Sequence, residues 1–348
     1  VELPAVNARG YQVYGGAPLL EKIKLAELAD LRSMGHYSES EDALYWLMKI
    51  TRVDNVIGPH MSGSGVTPAQ VAEKIPGLDV SGESRFTDAM REKLWSAMNT
   101  SAWQELEQQA EAEQAKQAAI VAKLIKDFSV RKVDEEEAEK EGSRPDHTAG
   151  VVVIDSKGNM AVTVHSVTSA IFGELGVFVE GVSVVDPGAF AQAGIAKAGP
   201  GNLLGGGGGG GSSACPAVAL KDGTPYFGCG NVGSSFDVVA QQGMINMIEY
   251  GMSPAEIKKQ PMFFKNWPPG QPVHLMTDQP GLFSSDLLNA VNARGIDIEP
   301  TDDPAKVTAG GIWVVGSQNP DTGLKSGGVT SGSHSRVSAS DAGLVEAY

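Results

Sequence analysis

The chain has 348 residues, 41% of them hydrophobic, enough to bury a substantial core and to suggest two or three domains from length alone. A formal net charge of −15, with no basic patch visible, argues against nucleic acid or an anionic membrane surface as partner, because both demand a positive face. No apolar run approaches the ~18 residues that a membrane-spanning helix needs.

Residues 1–58 read as a short strand or extended segment followed by helices. The first amphipathic pattern covers 19–31, and a second runs over 43–52 with Leu44, Leu47, Met48 and Ile50 on one face. Residues 59–102 hold Gly- and Ser-rich loops and a helix near 87–98. From 103 to 128 the spacing predicts a long helix with Leu106, Ala110, Ile120, Leu124 and Phe128 recurring at helical intervals. It reads either as an insertion that clamps a partner or as a solvated helix with one packed stripe. Residues 134–145 are too charged to bury.

Beyond 148 the pattern changes to strands at 151–155, 160–167, 177–185, 217–220, 225–228 and 311–316, broken by one strong helix at 236–250. Seven consecutive glycines, 205–211, lack the following Lys-Ser/Thr or the regular spacing of a phosphate-cradling loop, and read as a flexible lid or linker. Cys215 and Cys229 are the only cysteines, and both are expected to serve as small buried hydrophobes, leaving the redox compartment open. The six histidines include no pair at ligand spacing, so neither a metal nor another cofactor is expected. The start at Val1, without a charged-then-apolar leader, reads as a processed or trimmed product.

The stretch Asp146-His147-Thr148-Ala149-Gly150 joins the charged linker to the apolar run 151–154. A Thr at such a junction is commonplace, because it is β-branched and its hydroxyl caps turns. It also allows a second reading. Cleavage before Thr148 would give one residue both a nucleophile and a base: the hydroxyl attacks, and an α-amino group, which ordinarily titrates at roughly 7.7–8, takes the proton.

Four further motifs accompany that Thr. Asp155 follows it by seven residues, with Gly158-Asn159 just beyond. Then come Ser212-Ser213-Ala214-Cys215-Pro216 leading to Lys221-Asp222-Gly223, next Gly230-Asn231-Val232-Gly233-Ser234-Ser235, and finally Met247 to Pro261 with its internal Gly251-Met252. In order and spacing these resemble the small subunit of the gamma-glutamyltranspeptidase family, while Gly10 to Ser40 and the helix after it are similar to the later part of that family's large subunit. The family's first stretch, of the order of two hundred residues, has no counterpart here.

The resemblance implies an α+β fold, a four-layer αββα sandwich of the N-terminal nucleophile hydrolase type. It divides the chain into 1–147, a mainly helical large-subunit-like segment, and 148–348, a strand-rich catalytic segment. It implies self-cleavage between His147 and Thr148 and catalysis by Thr148 through an acyl-enzyme. Ser166 takes the place of a second Thr that hydrogen-bonds the nucleophile, and Gly233 and Ser234 supply the oxyanion donors from their backbones. Ser212 and Ser213 match the serine pair that binds the substrate's carboxylate end. His165, beside Ser166, is expected on the opposite side of its strand as a packed or surface residue.

The chain departs from the pattern where the family grips a γ-glutamyl group. Thr168 or Ser169 stands in the place of an Asn, and Asp186 alone replaces an acidic pair. A buried amino group without its carboxylates costs several kcal/mol. A small amide other than glutathione is therefore the expected substrate, with a true γ-glutamyl transferase and a catalytically silent binding subunit as alternatives. A second polypeptide supplying the absent half of the large subunit, including a substrate-binding Arg, is the expected partner.

Overall fold

The computed structural model describes residues 4–57, 66–82, 84–127, 148–166, 178–179, 182–183, 216–233, 236–266, 274–277, 281–303, 306–307 and 311–331. Two short strands, β1 (Ala5–Ala8) and β2 (Tyr11–Tyr14), are joined by a two-residue turn in which Arg9 and Gly10 both take positive φ. Helices α1 (Ala17–Leu28) and α2 (Glu41–Ile57) follow. Both start on local signals: Pro18 in the first turn of α1, and Ser40 accepting from the Ala43 amide ahead of the acidic pair Glu41 and Asp42 in α2. Helix α3 (Pro68–Lys74) opens with a capping box between Thr67 and Gln70, and α4 (Asp88–Ala97) is capped by Thr87.

Helix α5 (Ser101–Asp127) packs on α2 through Trp103, Leu106 and Ala110, all buried. Lys49 to Glu107, Arg52 to Glu111 and Gln114 to the Asn55 carbonyl run up both helices in the same direction, so the two are parallel. Because α2 ends at Ile57, the packed stripe stops there. Ile120, expected within that stripe, is 52% exposed. The side chain of Leu124 and all of Phe128 lie outside the described residues.

The later half supplies most of the sheet. Strands β3 (Thr148–Ile154) and β4 (Met160–Ser166) form a hairpin, and β5 (Phe178–Val179) and β6 (Val182–Ser183) form a second, very short one. Next come β7 (Ala217–Lys221), β8 (Thr224–Gly233), α6 (Phe236–Ile248) and α7 (Pro254–Ile257). Strands β9 (Phe264–Asn266), β10 (His274–Thr277) and β11 (Ile298–Pro300) make a three-stranded sheet, with α8 (Ser285–Ala293) between the last two. The chain closes its main sheet with β12 (Gly311–Gln318) and β13 (Lys325–Ser331).

That main sheet is antiparallel throughout, in the order β1-β2-β7-β8-β12-β13, so β2 near the start of the chain pairs with β7, whose residues lie more than 200 positions later. One apolar cluster runs through both parts of the chain, from Leu20, Ile23 and Leu47 to Val239, Ile245 and Trp313. One face of the sheet carries α6 and α1. Trp313 lies so close to Gly243 of α6 that a Cβ there would overlap its ring, which is why a glycine stands in the middle of this helix. The other face carries the β3–β4 hairpin. The protein is thus a mixed helix and sheet fold in which a hairpin, a sheet and a helix layer lie one upon another. Among the described residues no helix is long and apolar enough to cross a membrane.

Candidate active site

Pleating sends alternate residues of β8 to opposite faces of the sheet. Phe227, Cys229 and Asn231 belong to the helix side. Gly228 and Gly230 face the hairpin: a Cβ at Gly228 would sit 2.6 Å from Val162 Cγ2, and one at Gly230 would sit 2.7 Å from Val164 Cγ2. Gly316 on β12 receives Val152 in the same way, at 2.8 Å. Valines of the hairpin therefore seat in holes left by glycines of the sheet. The opposite face of the hairpin is open, with Val151 46% and Val153 55% exposed.

The hairpin turn is held by Asp155, whose carboxylate accepts from the Lys157 amide at 2.8 Å and from the Asn159 amide and side chain at 2.9 and 2.7 Å. These bonds, the Asn159 side chain first, hold the Asp155 carboxyl below its usual range. Gly158 has φ +83°, a backbone that L side chains rarely adopt. The Asp-x-x-Gly-Asn motif is thus the turn that fixes the register of the hairpin, and that register places Thr148 opposite Ser166. His165 stands opposite Ala149. Gly233 ends β8 opposite Gly311, and α6 begins at Phe236.

Around the start of α6 lies a group of six charges. Asp237, in the first turn, accepts through one oxygen from Lys22 at 2.9 Å and Lys265 at 3.1 Å. Lys22 also meets Asp54 at 2.6 Å, and Arg85 pairs with Glu21 at 2.6 Å and Asp54 at 3.2 Å. Three acids face three bases. Burial opposes the charge of the Asp237 carboxyl, but Lys22 and Lys265 overcome it and hold the group far below the usual carboxylate range. Burial likewise opposes the Asp54 carboxylate, and Lys22 and Arg85 hold it low. Glu21 goes the other way, raised by burial despite Arg85.

The far end of α6 is gripped as well. Arg32 donates to the carbonyls of Ile248 and Glu249, and His36 reaches Asn246 at 2.8 Å, so α6 is held at both ends by residues preceding Thr148. Asn231, two residues before Gly233, is fully buried with neither side-chain amide atom hydrogen-bonded. Burial pushes the Cys229 thiol up to about 12, which makes it an inert hydrophobe, while Cys215 lies outside the described residues.

Of the residues singled out in the sequence, the backbones of Thr148, Ser166 and Gly233 fall on the hairpin and on β8 beneath it. His147, Thr168, Ser169, Asp186, Ser212, Ser213 and Ser234 lie outside the described residues. Two surface cavities of about 250 and 300 Å³ are present elsewhere, and neither is walled by Thr148, Ser166 or Gly233. Among the described residues there is no group of three or more His, Cys, Asp or Glu that could hold a metal ion. The charge group had no sequence signal, since its members lie up to 244 positions apart, from Glu21 to Lys265, and meet only once the sheet is assembled.

The family model described as gamma-glutamyltranspeptidase matches residues 56–331. The chain belongs to the gamma-glutamyltranspeptidase family. Membership assigns it, at that level, to the N-terminal nucleophile hydrolases and transferases and to a gamma-glutamyltranspeptidase-like function. Among solved structures it is similar to a threonine-to-alanine mutant of Helicobacter pylori gamma-glutamyltranspeptidase, at 17% identity and a TM-score of 0.36, over 52% of this chain and 97% of that one. It is also similar to the Bacillus anthracis transpeptidase enzyme CapD, at 14% identity and a TM-score of 0.32, over 52% of this chain and 93% of that one. No curated protein matches. The match to the gamma-glutamyltranspeptidase family spans α3 to β13, so both partners of the charge group's central ion pair, Asp237 and Lys265, fall within it, while Lys22 and Asp54 precede it.

Proposed function

We propose that this chain is a self-processing amidohydrolase or acyltransferase whose nucleophile is Thr148. In processing, the Thr148 hydroxyl attacks the carbonyl of His147, the peptide nitrogen leaves as the new α-amine, and water opens the ester. The mature Thr148 then attacks a substrate amide. Its amine takes the hydroxyl proton and passes it to the departing amine, and the acyl group is released to water or to an acceptor amine. Ser166 hydrogen-bonds the nucleophile, and the backbone N–H groups of Gly233 and Ser234 receive the charge on the carbonyl oxygen. Ser212 and Ser213 bind the carboxylate end of the acyl group, with Thr168 and Asp186 near its other polar groups.

The observation that carries this reading is the hairpin register that sets Thr148 opposite Ser166 on a hairpin packed against β8, the strand that ends at Gly233. The matching architecture is the αββα sandwich. The helix layer, main sheet and hairpin support three of its layers, and 1–147 and 148–348 are the two products of processing. A second polypeptide covers the open face of the hairpin at Val151 and Val153, so that the site is shared and the assembly hetero-oligomeric. The substrate is a small amide other than glutathione. A true γ-glutamyl transferase is the second reading, favoured by the Ser212-Ser213 pair, and release of p-nitroaniline from a γ-glutamyl anilide would decide for it.

Intact mass of purified protein tests both parts. Wild type is expected as two fragments divided at 147/148, and Thr148→Ala as one uncut, inactive chain; processing of that variant at the same bond would exclude Thr148 as nucleophile. A distinct co-purifying chain is expected beside the fragments. A monodisperse, active preparation of these 348 residues alone would exclude the partner.

A further inference from the structure

The hairpin and the main sheet exchange roles along their contact. Near the turn the hairpin supplies the bulk, with Met160 and Val162 against Gly228 and Val152 against Gly316. Toward Thr148 the sheet supplies it. Here the glycine is Gly150 of the hairpin, and a Cβ on it would meet Val314 Cγ2 at 3.4 Å and Val232 Cγ1 at 3.5 Å. Those are ordinary contact distances, so a methyl group would fit above the two valines without displacing them. The registers carry the alignment one step further. Val162 lies at Gly228 and Val164 at Gly230 of β8, so the backbone at Ser166 reaches Val232; Val152 lies at Gly316 and Gly150 at Val314 of β12, so the backbone at Thr148 reaches Ile312. Thr148 and Ser166 are partners within the hairpin, and Val232 and Ile312 are partners within the sheet, so one pair lies above the other. Val232 is buried and Ile312 half-buried. From this pair back to Gly228 and Gly316, the hairpin-facing positions of β8 and β12 hold only glycine, valine and isoleucine.

We propose that Val232 and Ile312 are specificity-determining residues, the apolar floor on which the acyl carbons next to the reacting carbonyl lie, with Gly150 leaving room above it. The proposal rests on the reading above, in which Thr148 attacks that carbonyl. A floor between two layers suits the acyl group, which stays bound through both steps, better than the amine, which must leave. An ammonium on the carbon beside the carbonyl would sit on branched hydrocarbon with no partner and is strongly disfavoured. The substrate class is therefore an amide whose acyl carbons nearest the carbonyl are unsubstituted methylenes, with its polar end farther along.

Three probes test this on the purified protein: the glutaryl, acetyl and alanyl p-nitroanilides. Wild type is expected to cleave the glutaryl compound with a kcat/KM at least about a hundredfold above that for the alanyl one. Ile312→Ala is expected to lower kcat/KM for the glutaryl compound about tenfold, mainly through KM, and for the acetyl compound less than about twofold. Ile312→Val should give a smaller loss of the same kind and serves if the alanine variant does not fold. Gly150→Ala, whose methyl fits, should melt no lower than wild type and raise KM for the glutaryl compound about fivefold or more. A glutaryl compound that wild type leaves uncleaved, alanyl turnover equal to glutaryl, or equal losses on glutaryl and acetyl substrates would each overturn the proposal.

A second readout needs no turnover. Calorimetric binding of glutarate, the acid product, is expected to weaken about tenfold in Ile312→Ala. Unchanged glutarate affinity in a protein that Thr148→Ala inactivates would overturn the floor and leave the nucleophile reading intact. Weakened affinity in a protein that Thr148→Ala fails to inactivate would support the floor while removing that reading.

Discussion

A backbone donor and a side chain make different demands on the same position, and Ser234 separates them. Position 234 carries a serine, whose main chain and side chain can be tested apart. If the donor is the main-chain N–H, Ser234→Gly should keep most of the rate, because glycine retains that N–H. Ser234→Pro deletes the N–H. Removing one oxyanion donor typically costs ~2.7–4 kcal/mol, so a loss of about a hundredfold or more in kcat is expected. Steady-state rates on an active substrate would distinguish them, and equal, mild effects of the two changes would take the role away from this residue. The sequence made the identity of such residues visible but not their support. Asp155 and Asn159 were legible as a motif, yet that they fasten the turn which registers Thr148 against Ser166 follows only from their bonds.

At the scale of elements, the strands expected from apolar runs at 151–155, 160–167, 217–220 and 311–316 lie within a few residues of β3, β4, β7 and β12, because each is bounded by a turn whose residues announce it. Strand β8 was foreshortened, expected to stop at 228. Its continuation, Cys229-Gly230-Asn231-Val232-Gly233, is rich in residues that weaken an isolated strand, and it is held by β12 on one side and by the hairpin above. Those glycines are docking holes, and that gives an expected sign. Gly230→Ala would put a Cβ 2.7 Å from Val164 Cγ2, an overpacking that typically costs ~1–3 kcal/mol and outweighs the ~0.5–1 kcal/mol usually gained by removing a glycine from a strand. Thermal melts should show Gly230→Ala destabilised and the cost partly returned by Val164→Ala in the same chain. Strictly additive effects would mean that the two residues do not meet. Strands β9, β10, β11 and β13 and helix α8 were not among the expected elements; β9, β10 and β11 are three or four residues each, too short to show a period.

For the molecule as a whole, the buried charges set a pH limit whose direction can be worked out group by group. Asp237 and Asp54 have folded pKa values lowered by their cations, so each contributes stability that is present above its unfolded pKa of about 3.9 and is lost as pH falls through its lower folded value. Glu21 is raised by burial, so its own contribution has the opposite sign and fades as pH rises from about 4.3 toward its folded value. Glu249, buried and raised by burial despite Arg9, behaves like Glu21, so two lowered acids stand against two raised ones, and the exposed Asp30, Asp79, Asp155 and Glu256, all lowered by hydrogen bonds, tip the balance to a loss on the acid side. At neutral pH the formal charge of −15 also repels itself, and partial protonation of exposed carboxylates relieves that first. Stability should therefore hold or rise slightly from pH 7 toward about 5 and then fall steeply below about 4. Melting curves at pH 3, 4, 5 and 7 would trace this. Asp237→Asn should lower the melting temperature most at pH 7 and least at pH 3, below the unfolded pKa of about 3.9, where protonation of the unfolded chain already removes part of what the folded carboxylate contributes. A variant whose deficit is the same at every pH would show that Asp237 is held by shape rather than by the charges of Lys22 and Lys265.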